Sequence, residues 1–253
     1  MSTRLSPRPA PAPAPASASD TGTPWSRTEF EYRLRELATR RYHDQHPFNQ
    51  RMHRGELSRA ELRRWITNRF HYQRHIPIKD ALILAKLEQP AQRRAWIRRI
   101  QDHDGRTGDD GGIERWLRLG EAAGLTRETL WSGSRVLPGV RFAVEGYVNL
   151  CRLRPALDAV ASSLTELVAP TIMVTRINAF QNHYSWIEPQ GLAYFQRRID
   201  QGTRDGNEAL AMVLDWAGTR TEQQRALDAL SFKCDVLWSL LDTVAGTEDG
   251  DLR

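Results

Sequence analysis

From Ser26 onward the apolar side chains recur at three- and four-residue intervals, the period that returns to one side of an α-helix. Phe30, Leu34 and Leu37 make the first such face. Ser26 and Glu29 have the spacing of a capping box, in which a hydroxyl and a carboxylate satisfy amides that a helix start leaves without partners. Ser58 and Glu61 repeat the device ahead of Leu62, Trp65, Ile66 and Phe70. Pro77 should kink or break this second helix before the apolar segment Ile78 to Leu87, because it has no N–H to give and its ring meets the carbonyl four residues back. Pro90 stands at a first helical position, leading through Trp96 and Ile100 to the stop signal Asp102-His103-Asp104-Gly105 and a glycine-rich loop. Further helices are expected at about 113–123, 139–153, 156–168, 171–182, 189–201, 206–217 and 222–245, separated mainly by Pro or Gly. No segment alternates apolar and polar residues between turn signals, so no sheet and no βαβ unit is expected. Long amphipathic helices on short joints predict an all-α fold, a compact bundle of about seven or more helices.

Composition divides the chain. Residues 1–24 are dominated by Pro, Ala and Ser and bury too little apolar area to offset the entropy of ordering them, so they read as a disordered tail. Residues 25–247 are expected to form one helical domain and 248–253 a flexible tail. No uninterrupted apolar run reaches the roughly 18 to 20 residues of a membrane span, and the first residues lack the apolar core of a secretion signal, which predicts a cytoplasmic protein without a membrane partner. Cys151 and Cys234 are too few for a disulfide framework and are expected in the core as small hydrophobes. The formal net charge is +5 and most of the cations are Arg, whose planar fork suits carboxylates and phosphates. Nucleic acid is not the expected anion: the run Arg93, Arg94, Arg98, Arg99 lies in a helical pattern with no reading module around it, and a solvated helix face explains it.

Several pairs could carry chemistry, each with a plain structural alternative. Tyr194 and Arg198 stand four residues apart and share a helix face; a surface Arg over a Tyr has the same spacing. Arg99 and His103 lie one turn apart at a helix end, where His103 suits proton transfer near neutral pH or is simply terminal. Tyr42 and His43 close the first helix, and Tyr72 and Gln73 lie within the second. Lys233 interrupts an apolar stretch and needs an anion or a route to solvent. Thr165 and Glu166 close a helix beside Ala169-Pro170, where a carboxylate opposes the helix dipole and capping is a poor explanation.

The order of these groups carries more than any spacing. Arg41-Tyr42-His43, Arg69-Phe70-His71-Tyr72-Gln73, Ile76-Pro77-Ile78-Lys79-Asp80, Ile100-Gln101-Asp102-His103-Asp104-Gly105, the run 161–167 and Phe232-Lys233 together resemble the pyrroloquinoline-quinone synthases, part of the haem-oxygenase-like group of helical bundles, from about residue 29 to 245. The resemblance implies a bicyclic quinone precursor with several carboxylates and a free amine as substrate, dioxygen as oxidant, hydrogen peroxide as product, no metal, no cofactor, and a homodimer. It implies that Tyr42, His43, Arg69, Tyr72, Gln73, Arg99, Tyr147, Thr165, Glu166 and Arg176 hold the substrate. His103 would transfer protons, Tyr194 and Arg198 would line the oxygen site, and Lys233 would join the catalytic group. An electron-rich quinol ring reduces dioxygen directly, which leaves the protein to orient groups, move protons and stabilise developing charge.

One position departs from the pattern. After Ala169-Pro170 the family has a histidine where this chain reads Met173, which neither transfers a proton nor donates a hydrogen bond. The alternative reading is therefore a diverged relative, a partial oxidase or a non-catalytic quinone carrier. A di-iron oxygenase on the same kind of bundle needs Glu-x-x-His pairs, which are absent here; His43 and His46 with Asp44 between them supply too few carboxylates. A thiaminase-like hydrolase needs a nucleophilic Cys, and neither Cys has a base within a turn.

Overall fold

A computed structural model describes residues 22–247. The tail expected at 1–24 lies outside the described residues except for its last three positions, and the tail expected at 248–253 lies wholly outside them. The described chain holds eleven α-helices and no strand: α1 Arg27–Arg41, α2 Pro47–His53, α3 Arg59–Leu84, α4 Pro90–Asp104, α5 Gly112–Ala122, α6 Arg127–Ser132, α7 Pro138–Leu153, α8 Ala156–Ala161, α9 Ala169–His183, α10 Ala193–Trp216 and α11 Arg220–Ala245. Tight 3-10 turns at His43–Gln45, Leu164–Leu167 and Pro189–Leu192 connect them. The all-α expectation holds.

Helix α3 is the central element, packed against α4, α5, α7 and α11, while α10 lies across α9, α8 and the 164–167 turn. The stretch Ala156–His183 is long and apolar enough to cross a membrane by length and composition; here it is broken at 162–168, and 61% of its most apolar window is buried in the bundle.

Several start signals work as read and one only in half. At α3 both arms of the capping box form between Ser58 and Glu61, and Thr219 and Glu222 form another at α11. At α1 the Ser26 hydroxyl accepts from the Glu29 amide, but Glu29 spends its carboxylate on Arg33, one turn on, at 2.8 Å. The short helices α2 and α6 escape a reading based on periodicity because neither has two full turns of pattern.

Two expectations fail for one reason. Pro77 does not break α3, which runs through it to Leu84. Likewise the break expected between 201 and 206 is absent, and Gly202 and Gly206 lie inside α10. Tertiary packing outweighs local preference in both places. Gly206 is where α10 passes against the 164–167 turn: a Cβ there would sit 2.9 Å from the Leu167 amide nitrogen and 3.0 Å from the Glu166 carbonyl carbon. At Gly202 it would sit 3.3 Å from a carboxylate oxygen of Glu166. These glycines permit close approach of two backbones, and that approach delivers Glu166 to Arg198.

Candidate active site

Residues 69, 72, 73 and 76 recur at the three- and four-residue intervals of one helix face, so α3 presents Arg69, Tyr72, Gln73 and Ile76 to a single volume. The end of α1 adds Tyr42, the 164–167 turn adds Thr165 and Glu166, α9 adds Met173, α10 adds Tyr194 and Arg198, and α11 adds Leu237. The cavity has room for about 30 Å³. Of the residues singled out in the sequence, Tyr42, Arg69, Tyr72, Gln73, Thr165, Glu166, Tyr194 and Arg198 line it directly. His43, Arg99, His103, Tyr147, Arg176 and Lys233 do not; they are buried behind the lining, and none reaches an outer surface.

Lys233 sits between the parallel rings of Tyr72 and Tyr147, which stack 6.4 Å apart; its Nζ lies 4.3 and 3.5 Å from their centroids and donates to the Tyr72 hydroxyl at 2.5 Å. It meets neither the anion nor the solvent route that the sequence called for, being 1% exposed. Burial, then the nearby Arg69 and Lys79, pushes its ammonium well below the usual lysine range. Across Tyr147 stands Lys79, paired with Asp80 at 2.7 Å and hydrogen-bonded to the Ser163 hydroxyl at 3.2 Å, while Trp96 donates its indole N–H to Asp80.

Tyr194 and Arg198 are tightly held. Tyr194 donates its hydroxyl to the Gln73 side-chain carbonyl at 2.8 Å. Arg198 reaches Glu166 at 2.5 Å and Asp205 at 3.4 Å. Burial opposes the Arg198 charge, but Glu166, Tyr194 and Asp205 outweigh it and raise its proton affinity. His103 sits beside Tyr194, both in reach of a Cβ placed on Gly112. Its Nδ1 lies 3.0 Å from the Arg99 carbonyl. A carbonyl only accepts, so Nδ1 carries the proton and Nε2, buried without a partner, keeps its lone pair. Burial, then Arg198, lowers the imidazole below its ordinary value, which keeps it a neutral base at neutral pH.

The opposite side is cationic. Among the described residues no carboxylate pairs with Arg69, Arg176 or Lys233, and one guanidinium nitrogen of Arg69 and the Nε of Arg176 are buried without partners. Arg176 lies over Trp65, bonds Asn49 at 3.2 Å, and is brought down to about 10 by burial and then by Arg69. Burial and then Arg69, Arg176 and Lys233 hold His43 well below the normal histidine range. A buried set of like charges without counterions is costly unless an anion completes it. The arrangement can therefore seat a polycarboxylate on one side and manage protons and developing negative charge on the other.

Sequence reasoning missed Asp80, Lys79, Asn49 and Asp205 as members of this site. Lys79-Asp80 inside an apolar run was a legible oddity; Asp205 left no signal. Both cysteines are buried, and burial raises both thiols, Cys234 to about 11, which leaves no activated sulfur nucleophile. Among the described residues no three His, Cys, Asp or Glu side chains gather as metal ligands.

Comparison with known proteins places this geometry. The model of the TENA/THI-4/PQQC family matches residues 31–243. A pyrroloquinoline-quinone synthase from Cronobacter sakazakii is 51% identical over 223 residues, 87% of this chain and 88% of its own length. One from Pseudomonas aeruginosa is 51% identical over 219 residues, covering 87% of each chain, and one from Xanthomonas campestris pv. campestris is 49% identical over 216 residues, 85% of this chain and 86% of its own. Among solved structures, a domain with a heme oxygenase-like fold from Shewanella denitrificans OS217 superposes with a TM-score of 0.71 at 15% identity, covering 89% of this chain and 97% of that one. A TenA homolog from Pseudomonas syringae pv. tomato gives 0.68 at 14% identity over 87% and 92%. The haem-oxygenase-like bundle expected from the sequence is thus the fold of this chain.

Proposed function

The chain belongs to the TENA/THI-4/PQQC family, and on that premise we propose that it works as a pyrroloquinoline-quinone synthase, closing and oxidising the last ring of that quinone with dioxygen and releasing hydrogen peroxide. Relatives about half identical over most of the chain carry that activity in their names. The observation that supports it in this molecule is the pairing of two buried guanidiniums without carboxylate partners, Arg69 and Arg176, with a neutral His103 whose Nε2 has no partner.

In this reading Arg69, Arg176 and Lys233 take the precursor's carboxylates, with Tyr42, His43, Tyr72, Gln73, Arg99, Tyr147, Thr165 and Glu166 fixing its position. His103 Nε2 removes ring protons, the Arg99 carbonyl holding the imidazole in the required tautomer. Tyr194 and Arg198 offer a hydroxyl and a fixed cation to the reduced oxygen species. The reduced ring is its own redox centre. A cavity of about 30 Å³ is far below the roughly 300 Å³ of an ordinary ligand site, so the lining side chains part as the precursor enters. Met173 lines the cavity where the family has a histidine, leaving His103 and Tyr194 as the proton-active members of the oxygen side. The partial-oxidase and carrier readings are not favoured, because the other matching positions are intact. We also read the protein as a homodimer, supported by Leu153 on α7 and Phe232 on α11, exposed apolar groups that line one groove.

An aerobic assay with the precursor tests the function. Product spectra and peroxide in excess over protein are expected; a shift no larger than one equivalent per chain would reduce the protein to a binder.

A further inference from the structure

We propose that Asp205 is a positioning residue of this site, setting the separation of Arg99 and Arg198 and tying both to the helix that carries His103; this rests on the functional reading above. Asp205 is 2% exposed on α10. One carboxylate oxygen faces Arg198 at 3.4 Å, and the other lies 3.9 Å from Arg99 Nε and 2.6 Å from Arg204. Its backbone carbonyl also accepts from the Arg99 guanidinium. Among the described residues it is the one acid that pairs with both Arg99 and Arg198.

Two guanidiniums brought together in a dry interior repel, and the anion between them sets their distance. Asp205 stays ionised there: burial disfavours its charge, but Arg99, Arg198 and Arg204 outweigh burial and lower its carboxyl below the usual range. Arg204 extends the tie, bonding Asp102, the residue before His103 on α4. Arg198 is thus held by Glu166 at one nitrogen and by Asp205 at another, and the Arg99 side chain is fixed on the helix whose Arg99 carbonyl orients His103. Without the Asp205 carboxylate, Glu166 still holds Arg198 and the backbone carbonyl still holds Arg99, but no anion of the protein stands between the two guanidiniums, and their repulsion moves them apart.

The test uses the full chain, the precursor and air. Wild-type protein that fails to turn over defeats the functional reading, and the role of Asp205 falls with it. With wild-type turnover in hand, Asp205→Asn is expected to lower kcat about tenfold or more and to raise KM for the precursor, since displacements near 1 Å cost on the order of 100-fold. Asp205→Asn combined with Arg204→Gln removes one anion and one cation, so the charge balance returns and the thermal midpoint is expected to recover while kcat does not. The double variant carries the test if the single one does not fold. Recovery of kcat along with the midpoint, or a folded Asp205→Asn with kcat and KM within about twofold of wild type, would overturn the positioning role.

Discussion

Replacing Gly206 with Ala adds one methyl group at the point where α10 touches the 164–167 turn. That methyl would meet backbone on its near side, the Leu167 nitrogen at 2.9 Å, the Glu166 carbonyl carbon at 3.0 Å and the Leu167 Cα at 3.1 Å, where ordinary contact begins at 3.4 Å. Backbone does not rotate aside, so helix and turn must separate by about half an ångström. Overpacking of this kind costs about 1–3 kcal/mol, and the better helix propensity of Ala returns about 1 kcal/mol. The net, about 0–2 kcal/mol, lowers the thermal midpoint by up to about 8 °C in a domain of this size. Activity should suffer more, because the contact that opens is the one presenting Glu166 to Arg198; half an ångström at a catalytic group costs on the order of tenfold in kcat. Gly202→Ala is the control, since its nearest neighbour is the free end of the Glu166 side chain at 3.3 Å. Scanning calorimetry and peroxide release on both variants check the argument. A Gly206→Ala protein at least as stable as wild type, with kcat unchanged, would refute it.

Burial and Arg198 place His103 below 6.5, so the base form is lost only as pH falls beneath that value; the acid limb of kcat/KM should lie under 6.5, and His103→Gln should cut kcat by about 10²- to 10⁴-fold. A limb above 6.5 in wild type would contradict this. Stability should follow the same direction: His43, His71 (about 3), His53 (about 4) and His103 bind protons more readily unfolded, so stability is fullest above 6.5 and falls as pH drops toward 4. A thermal midpoint that stays flat from pH 7 to 5 would count against it. Arg176→Met should raise the midpoint of the empty protein by removing a buried cation that Arg69 repels, while raising KM for the precursor by about 10- to 100-fold, the worth of a charge-assisted bond; a lower midpoint in thermal melts would mean the guanidinium's packing on Trp65 dominates. Met173→His should speed oxygen consumption with the precursor in an oxygen-electrode assay, and an unchanged rate would make the methionine harmless.

The sequence disclosed what repeats locally. Helices long enough to show their period were legible, as were the Ser58-Glu61 start and the place of Tyr72 and Gln73 within the second helix. Pro77 and the joint at 202–205 were misread because their local preference points to a break, whereas neighbours remote in sequence hold the helices continuous. The eight named residues that line the cavity were legible through their order along the chain rather than through any single spacing. Asp205 shows the limit: in the sequence it falls in the joint expected between 201 and 206, where a carboxylate is an ordinary solvated group, and only the fold reveals that Arg99, 106 positions away, has been folded against it.

The unbalanced charge around Arg69, Arg176 and Lys233 bears on how a catalytic cycle ends. A seat that gains by admitting several carboxylates gives up the same gain when they depart, and oxidation of the rings leaves those carboxylates in place. On the proposed function, departure of the finished quinone, rather than any chemical step, is expected to be the slow event, with accumulated quinone competing against fresh precursor for the same seat.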